Sequence, residues 1–452
     1  MLCKVSLKFL SNSYYGFEVN VLSQNLLQAE RAAIVGLATA ASHRFAVERS
    51  LSELMRLVDT AGATVVLCVL QERASPDSNT FIGSGKVASL AEAVIDGDID
   101  VVVVDAELTP AQLRQLEARL ERKVIDRTQV ILDIFASRAR SREGKCQVEL
   151  AQLKYLLPRL TGAGVQMSRL GGGIGTRGPG ETKLETDRRR IRDRIRTVQH
   201  AINHVRKRRI QIRERRQKNF IPTVALVGYT NAGKTTLFNY LAEASALASD
   251  ALFVTLDPLV RKVQLSQGQS FLLSDTVGFI DRLPHTLVAA FRATLEEVSE
   301  ADLILHVIDA SSDDLDSQKG AVKKVLEEVG ASNLPFVEVY NKIDLISSEV
   351  QHRLEARSSD AIYVSALNGE GMTKLQSNLS SLLALDTKRI MVTFDNCQYS
   401  SKEIAKLYRI GRVVSHVAKE DSIVIEVDVP RRVVPHLTFP YRTELQEGTH
   451  SR

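Results

Sequence analysis

The sequence predicts an α/β protein with several domains, and three observations support this fold class. Short apolar runs that suit buried parallel strands alternate with helix-forming segments. One such run, residues 223–227, leads directly into a glycine-rich turn at residues 228–235 and then into a helix-forming segment. Two helix-forming segments, residues 143–160 and 184–218, precede that turn. With 452 residues and 44% hydrophobic content, the chain can build several cores.

The glycine-rich turn predicts a phosphate-binding loop. Two glycines let successive backbone N–H groups face the α- and β-phosphates, and the helix that follows adds the positive end of its dipole. We expect Lys234 to reach the β- and γ-phosphates and Thr235 to ligate Mg²⁺. The predicted phosphate-binding residues are Gly228, Tyr229, Thr230, Asn231, Ala232, Gly233, Lys234, Thr235 and Thr236.

A tetrad after the strand-like run at residues 337–340 predicts that the base is guanine. Asp344 can accept hydrogen bonds from both the ring N–H and the exocyclic amine of guanine, whereas adenine has no such pair of donors. We expect Asn341 to contact the base edge and the neighbouring loop, and the Lys342 stem to cover one face of the ring. A second loop follows another strand-like run and can offer a backbone N–H to the guanine carbonyl oxygen: Ser365, Ala366 and Leu367. The predicted ligands are therefore GTP and GDP.

Two further segments are predicted to sense the third phosphate. Asp275 follows an apolar run and is expected to hold the Mg²⁺ shell through water, and Gly278 can present its N–H to the γ-phosphate. Thr255 is the best candidate for a second Mg²⁺ hydroxyl, although a strand-edge threonine is an alternative interpretation. Phe253 in the same segment is predicted to contact the nucleotide. The predicted catalytic residues are Lys234, Thr255 and Gly278.

The residue after Gly278 predicts slow intrinsic hydrolysis. Phe279 stands where small signalling GTPases have the glutamine that orients the attacking water, and an aromatic ring cannot do so. We therefore expect hydrolysis to rise when a partner or an ion reorganises these segments. Asn231 indicates a K⁺ site by analogy with GTPases that carry asparagine at this place, but it can equally be a structural asparagine.

The glycine-rich run at residues 168–185 contains a Gly-x-Gly-x-x-Gly pattern, but no strand precedes it and Pro179-Gly180 separates it from the next helix. A nicotinamide or flavin site is therefore excluded. Glycines together with Arg169, Arg177 and Lys183 instead favour a loop tip that approaches RNA. A disordered linker is the alternative.

Helix-forming residues 143–160 and 184–218 frame this loop and predict an antiparallel helical hairpin. The second segment has apolar residues at alternating four- and three-residue steps. It is also strongly basic, which favours contact with a polyanion, and the first residues of this kind are Arg188, Arg189 and Arg190. RNA is preferred because no DNA-reading motif is present, and a solvated coiled-coil face is the alternative.

These motifs resemble the HflX family of translational GTPases. The resemblance rests on the nucleotide motifs and on residues 126–128, 133–136, 143–145, 147–153, 157–160, 171–185, 228–235 and 275–280. It implies a cytoplasmic, monomeric GTPase that binds the large ribosomal subunit and its rRNA, places the hairpin tip near the peptidyl-transferase region, and splits or rescues stalled ribosomes under stress. It also implies ATP hydrolysis, which the guanine-reading tetrad does not explain. One departure is Leu259-Val260, where the family usually has threonine.

The predicted architecture is a P-loop GTPase domain with three additional parts. The domains are an N-terminal extension at 1–31, an N-terminal α/β domain at 32–140, the helical hairpin at 141–218, the GTPase domain at 219–385 and a small C-terminal α+β domain at 386–452. A net charge of +5 suits an anionic partner, no apolar run approaches membrane-spanning length, and the four cysteines lack metal-site spacing. An alternative function is a GTP-dependent RNA- or protein-binding switch or scaffold that does not split ribosomes.

Overall fold

The computed structural model describes residues 29–39, 44–160, 179–218, 221–244, 252–265, 269–281, 297–358, 360–385, 387–395, 400–418, 422–437 and 442–447. These residues belong to two compact units. The described residues up to Val205 and residues 252–257 belong to the first unit, and the other described residues belong to the second. Within the described ranges, no helix combines the length and the apolar character that a membrane span requires. The division into five predicted domains, with its four boundaries, remains a prediction.

The first unit is built on a four-stranded parallel sheet with the strand order β2-β1-β3-β4. The strands are β1 (Arg31–Ala38), β2 (Thr64–Glu72), β3 (Val101–Val104) and β4 (Lys123–Asp126). All four residues of β3 are buried, as expected for a central parallel strand covered on both faces. The apolar runs at residues 63–70 and 100–104 predict two buried parallel strands, which the structure contains as β2 and β3, whereas β1 and the short β4 were not predicted.

Five described helices belong to this unit: α1 (Arg44–Ala61), α2 (Ser84–Asp96), α3 (Pro110–Leu120), α4 (Arg127–Arg138) and α5 (Arg142–Arg159). A further helix, α6 (Pro179–Lys218), belongs to this unit up to Val205 and to the second unit from Arg206. Pro110 in the sequence predicts a helix start, and helix α3 begins there because Thr109 and Gln112 form a reciprocal capping box in front of it. The sequence also predicts that residues 83–86 open a helix, and Gly83 is the N-cap of α2.

The two helices of the predicted hairpin are present as α5 and α6. Helix α6 begins at Pro179, so the prediction that Pro179-Gly180 separates the glycine-rich run from this helix was wrong. Proline is tolerated in the first turn because the N–H it lacks would have no intrahelical acceptor there. Arg194 Nη2 of α6 donates to Glu149 Oε2 of α5 at 2.9 Å, and Val198 is buried.

The second unit contains a six-stranded sheet with the strand order β10-β9-β8-β5-β7-β6. Its strands are β5 (Thr223–Gly228), β6 (Leu259–Gln264), β7 (Ser270–Asp275), β8 (Leu303–Asp309), β9 (Phe336–Asn341) and β10 (Ile362–Tyr363). Only the pairing of β6 with β7 is antiparallel among these strands. The helices are α7 (Lys234–Ala242), α8 (Leu315–Val329), α9 (Ser348–Arg357) and α10 (Met372–Leu382).

A smaller antiparallel sheet closes the chain, with the strand order β12-β13-β11-β14. Its elements are β11 (Thr387–Asp395), α11 (Ser400–Ile410), β12 (Arg412–Ala418), β13 (Ser422–Pro430) and β14 (Arg442–Glu447). This confirms the predicted α+β tail, although the sequence did not reveal β14. The strand order is that of a split β-α-β arrangement, in which β13 lies between β11 and β12.

Candidate nucleotide-binding site

The predicted phosphate loop connects the buried strand β5 to the helix α7, as the sequence indicated. Gly233 caps α7 with a φ of 87°, a left-handed conformation that favours glycine. A Cβ at Gly233 would also collide with the side-chain amide nitrogen of Asn341. Asn231 adopts a φ of 61°, a conformation that asparagine tolerates better than most residues. The loop conformation therefore depends on these residue types.

Lys234 lies inside the loop and is only 6% exposed. Its Nζ donates to the carbonyl oxygens of Tyr229 at 2.7 Å and Gly228 at 3.1 Å. Burial lowers the pKa of Lys234 to about 8, and the negative charge of Asp275 opposes that shift. An incoming polyphosphate would stabilise this buried ammonium, because its negative charge adds to that of Asp275, whereas the two direct acceptors of the ammonium are neutral carbonyls.

The two predicted Mg²⁺ residues of this unit lie together. Thr235 Oγ1 donates to Asp275 Oδ2 at 2.9 Å, and Asp275 is fully buried at the end of β7. A hydroxyl and a carboxylate are the hard oxygen ligands that Mg²⁺ prefers. Thr230 Oγ1 nearby is buried and has no hydrogen-bond partner among the described residues. This donor set fits a Mg²⁺–phosphate complex.

Gly278 lies three residues after Asp275 in the chain, and it lies beside Lys234 in the structure. A Cβ at Gly278 would be 3.1 Å from Lys234 Nζ and 3.0 Å from the Thr230 Cα, so a side chain at this position would crowd the loop. Phe279 is 2% exposed; its carbonyl accepts from the Thr230 N–H at 2.7 Å, and its own N–H donates to the Gly228 carbonyl at 3.1 Å. The buried ring supports the expectation that Phe279 does not orient a water molecule.

Asn341 connects the phosphate loop to the second base-binding loop. Its Nδ2 donates to the Ala232 carbonyl at 3.0 Å, and its Oδ1 accepts from the Ala366 N–H at 3.0 Å. Because Asn341 uses the Ala366 N–H, this group is not free for guanine, and the exposed Leu367 remains the next backbone donor of the loop. The side chain of Asn341 therefore fixes the relative position of two loops that are distant in sequence.

The other base-reading residues lie next to Asn341. Lys342 adopts a φ of 65°, and its Nζ donates to Asp309 Oδ2 at 2.7 Å. Asp344 lies in a short 3₁₀ helix, Ile343–Leu345, and is exposed, so its carboxylate is accessible to a ligand. Ser365 is fully buried, and its Oγ accepts from the Asn368 N–H at 3.2 Å. These positions are consistent with the predicted guanine contacts, which stay a prediction.

Asp309 is a site residue that sequence reasoning missed. It ends the buried strand β8 and is the partner that holds the Lys342 ammonium. The only available signal was a carboxylate at the end of an apolar run, beside the two strands that carry the nucleotide motifs. That signal is weak without the strand order, because the sequence does not state which strand ends are neighbours.

The remaining predicted residues belong to the first unit or lie outside the description. Thr255 and Phe253 are part of the first unit, where Phe253 is 2% exposed and packs edge-on against Phe135 with ring centroids 4.7 Å apart. Their roles at the nucleotide stay predictions. Arg169 and Arg177 lie outside the described residues. Lys183, Arg188, Arg189 and Arg190 lie in α6.

Comparison with known proteins supports this interpretation of the motifs. Three family models match the chain: "GTP-binding GTPase N-terminal" over residues 48–136, "GTP-binding GTPase Middle Region" over 138–216 and "50S ribosome-binding GTPase" over 223–342. The curated protein "GTPase HflX" of Caldanaerobacter subterraneus subsp. tengcongensis is 46% identical over 400 residues, which cover 88% of this chain and 91% of that protein.

Two further similarities come from other organisms. "GTPase HflX" of Escherichia coli (strain K12) is 47% identical over 384 residues, covering 84% of this chain and 89% of that protein. A solved GTP-binding protein from the archaeon Sulfolobus solfataricus, in complex with GDP, is 25% identical with a TM-score of 0.40 and covers 78% of this chain and 98% of that chain.

Proposed function

Because the chain belongs to the HflX family of GTPases, we propose that its GTP cycle controls binding to the large ribosomal subunit and the splitting or rescue of stalled ribosomes under stress. The observation that carries the proposal is the combination of a complete phosphate loop with the basic helix α6. The matching family model is described as a ribosome-binding GTPase, which supports the same partner.

All the groups that would act in GTP hydrolysis, except Thr255, belong to the second unit. Lys234 would bind the β- and γ-phosphates, and the Gly278 N–H would approach the γ-phosphate from the same side of the loop, since Gly278 lies beside Lys234. Mg²⁺ held by Thr235 and, through water, by Asp275 would neutralise phosphate charge, with Thr255 as the second hydroxyl. Because the ring of Phe279 is buried, the attacking water must be oriented by a group outside this position.

The basic helix α6 supports an RNA partner. Exposed arginines follow one another along it, and Arg190 and Arg196 keep 70% and 74% of their side-chain surface exposed although each lies near an acidic neighbour. Surface ion pairs of this kind contribute little, so these guanidinium groups remain available to phosphates. Large-subunit rRNA offers such a surface, and neutralising several phosphates would give salt-dependent binding.

The test compares two double variants with the same change in charge. We expect Arg189→Glu/Arg190→Glu in α6 to weaken binding to purified large subunits and to reduce the dependence of binding on salt. Arg114→Glu/Arg119→Glu in α3 is the matched control, because both residues are exposed helix arginines far along the chain from α6. Co-sedimentation over a series of salt concentrations measures both effects.

The enzymatic part of the proposal is tested by single-turnover hydrolysis with and without large subunits, and by light scattering of intact ribosomes. We expect subunits to accelerate hydrolysis and the protein with GTP to dissociate ribosomes, while Lys234→Ala binds no nucleotide. Subunit binding without acceleration or dissociation would favour the alternative, a GTP-dependent scaffold. If neither binding nor acceleration occurs, the ribosomal proposal is wrong. The conclusion that the protein hydrolyses GTP does not depend on that result.

We also propose that K⁺ supports hydrolysis at Asn231. The left-handed backbone of Asn231 places this residue at the turn of the phosphate loop, which is consistent with a cation beside the phosphates but also with a structural role. Hydrolysis measured in K⁺ and in Na⁺ at equal ionic strength distinguishes the two. Equal rates would assign Asn231 to loop structure.

A further inference from the structure

Thr230 of the phosphate loop carries a buried hydroxyl that no described residue satisfies. The residue is 7% exposed, and its Oγ1 has no hydrogen-bond partner in the part of the chain that the structure describes. A hydroxyl can donate one hydrogen bond and accept two, and a buried hydroxyl without partners destabilises the folded state. Valine is branched at the same carbon and would fill this place without a hydroxyl. The hydroxyl of Thr230 therefore indicates a partner that arrives with the nucleotide.

The surroundings of Thr230 are the groups that are expected to hold the γ-phosphate. A Cβ at Gly278 would lie 3.0 Å from Thr230 Cγ2 and 3.1 Å from Lys234 Nζ, so the threonine side chain, the glycine and the ammonium meet at one point. Lys234 is predicted to bind the β- and γ-phosphates, and Gly278 is predicted to donate its N–H to the γ-phosphate. All three residues belong to the second unit. The hydroxyl of Thr230 therefore lies beside the expected position of the γ-phosphate.

Thr230 is also held against Phe279, which stands where a glutamine would orient the attacking water. The Thr230 N–H donates to the Phe279 carbonyl at 2.7 Å, and the Phe279 N–H donates to the Gly228 carbonyl at 3.1 Å. The buried ring of Phe279 offers no hydrogen bond, whereas the neighbouring hydroxyl is both a donor and an acceptor. Because the backbone contacts fix the two residues together, the hydroxyl lies next to the position that lacks a water-orienting group.

From these contacts we propose that Thr230 is a catalytic residue whose hydroxyl binds the attacking water during GTP hydrolysis. The proposal rests on the roles expected of Lys234 and Gly278 at the γ-phosphate. The Thr230 hydroxyl accepts a hydrogen bond from the water and donates one to a γ-phosphate oxygen, so the complex satisfies a group that is unsatisfied within the described residues. It supplies the function that Phe279 cannot provide.

The reaction at this site is an in-line displacement at phosphorus. The water oxygen forms a bond to the γ-phosphorus while the bond from that phosphorus to the β–γ bridging oxygen breaks, and the electron pair of the broken bond stays with GDP. One hydrogen of the water remains on the new phosphate and the other passes to a γ-phosphate oxygen, which gives GDP and inorganic phosphate. Thr230 loses no proton overall, and its hydroxyl acts by holding the water in line.

The stability of a hydroxyl-free variant distinguishes this role from a structural one. Thr230→Val keeps the branched shape and removes the unsatisfied hydroxyl, so we expect the melting temperature of the nucleotide-free chain to stay unchanged or to rise. A hydroxyl that supported the loop would have a protein partner, and its removal would lower the melting temperature. The proposal therefore predicts that activity falls while stability does not.

The test measures single-turnover hydrolysis by the full chain at saturating Mg·GTP without ribosomes, together with the affinity for a non-hydrolysable GTP analogue. We expect Thr230→Val to lower the rate about 10- to 100-fold, with the affinity for the analogue within about threefold of wild type. Thr230→Ser keeps the hydroxyl, and we expect it to retain at least about a third of the wild-type rate.

Ser274→Ala is the matched control, because it also removes a buried hydroxyl that has no partner among the described residues. Ser274 lies on β7 next to Asp275, and neighbouring residues of a strand point to opposite faces of the sheet. We expect Ser274→Ala to keep the wild-type rate and the wild-type melting temperature. The two variants separate the loss of any buried hydroxyl from the loss of the one beside the γ-phosphate.

An unchanged saturating rate in well-folded Thr230→Val would overturn the proposal, and a weaker affinity for the analogue with that unchanged rate would show that the hydroxyl binds the nucleotide and not the water. A lowered melting temperature in Thr230→Val, with a rate that Thr230→Ser fails to preserve, would assign the residue to loop structure. Every measurement is made without ribosomes, so the proposed ribosomal function is supported or refuted separately.

Discussion

Asn341 joins two loops of the nucleotide site through two buried hydrogen bonds, so its removal makes a sharp prediction. Asn341→Ala leaves the Ala232 carbonyl and the Ala366 N–H without this partner in a region where Asn341 itself is 2% exposed. A buried polar group that loses its partner costs about 1–3 kcal/mol, so the two together cost about 2–6 kcal/mol. This cost is divided between folding of the second unit and binding of the nucleotide.

Chemical denaturation with and without saturating Mg·GDP separates the two parts. The loss of unfolding free energy without nucleotide gives the folding cost, and the additional loss with nucleotide gives the binding cost. Asn341→Asp should be at least as damaging, because a carboxylate would face the Ala232 carbonyl in place of the amide donor. Asn368→Ala in the exposed part of the same loop is the control, with an expected effect within about 0.5 kcal/mol.

A total cost of less than about 1 kcal/mol for Asn341→Ala would refute this reasoning. It would mean that the two loops keep their positions without the side chain, and that the contacts of Asn341 do not organise the site. A large folding cost with unchanged GDP affinity would show that Asn341 stabilises the unit but does not position the nucleotide.

Three other predictions concern single residues. Burial lowers the pKa of His306 to about 3, because the neutral imidazole is favoured inside the folded protein. The contribution of the neutral imidazole to the free energy of unfolding is therefore complete above the unfolded pKa near 6.5, and it is lost as the pH falls from there towards 3. At pH 5 the loss is about 2 kcal/mol relative to pH 7.5, and His306→Leu should remove this share of the acid sensitivity in urea titrations at the two pH values. Asp309→Ala frees the Lys342 ammonium, and we expect GDP to bind about fivefold more weakly, corresponding to about 1 kcal/mol, while Asp313→Ala at an exposed position nearby leaves binding unchanged. Phe135→Ala should cost about 3–5 kcal/mol in the unfolding of the first unit, because the ring is 1% exposed and supports Phe253; a cost below about 1 kcal/mol would show that the site collapses around the lost ring.

The prediction of helix starts shows where local sequence is sufficient and where it is ambiguous. Pro110 gave the correct start for α3, and the helix-forming segment from residue 143 came within one residue of the start of α5, because a cap acts on backbone groups only a few residues away. The start of α6 was placed too late, at Leu184, because proline and glycine disfavour helix interiors, whereas Pro179 lies in the first turn where that argument does not apply. The short strand β4 was missed because four residues carry too little periodicity.

The sequence alone determined the nucleotide-binding elements, because a strand, a glycine turn and a helix that follow one another directly have their geometry fixed by neighbouring residues. Only the tertiary structure decided which distant groups meet. Asp257 and Ser141 are 116 positions apart, and Asp309 and Lys342 are 33 apart. Contacts of this kind depend on strand order and helix packing, since the free energy that brings the residues together comes from burial of whole elements and leaves no local pattern at either residue.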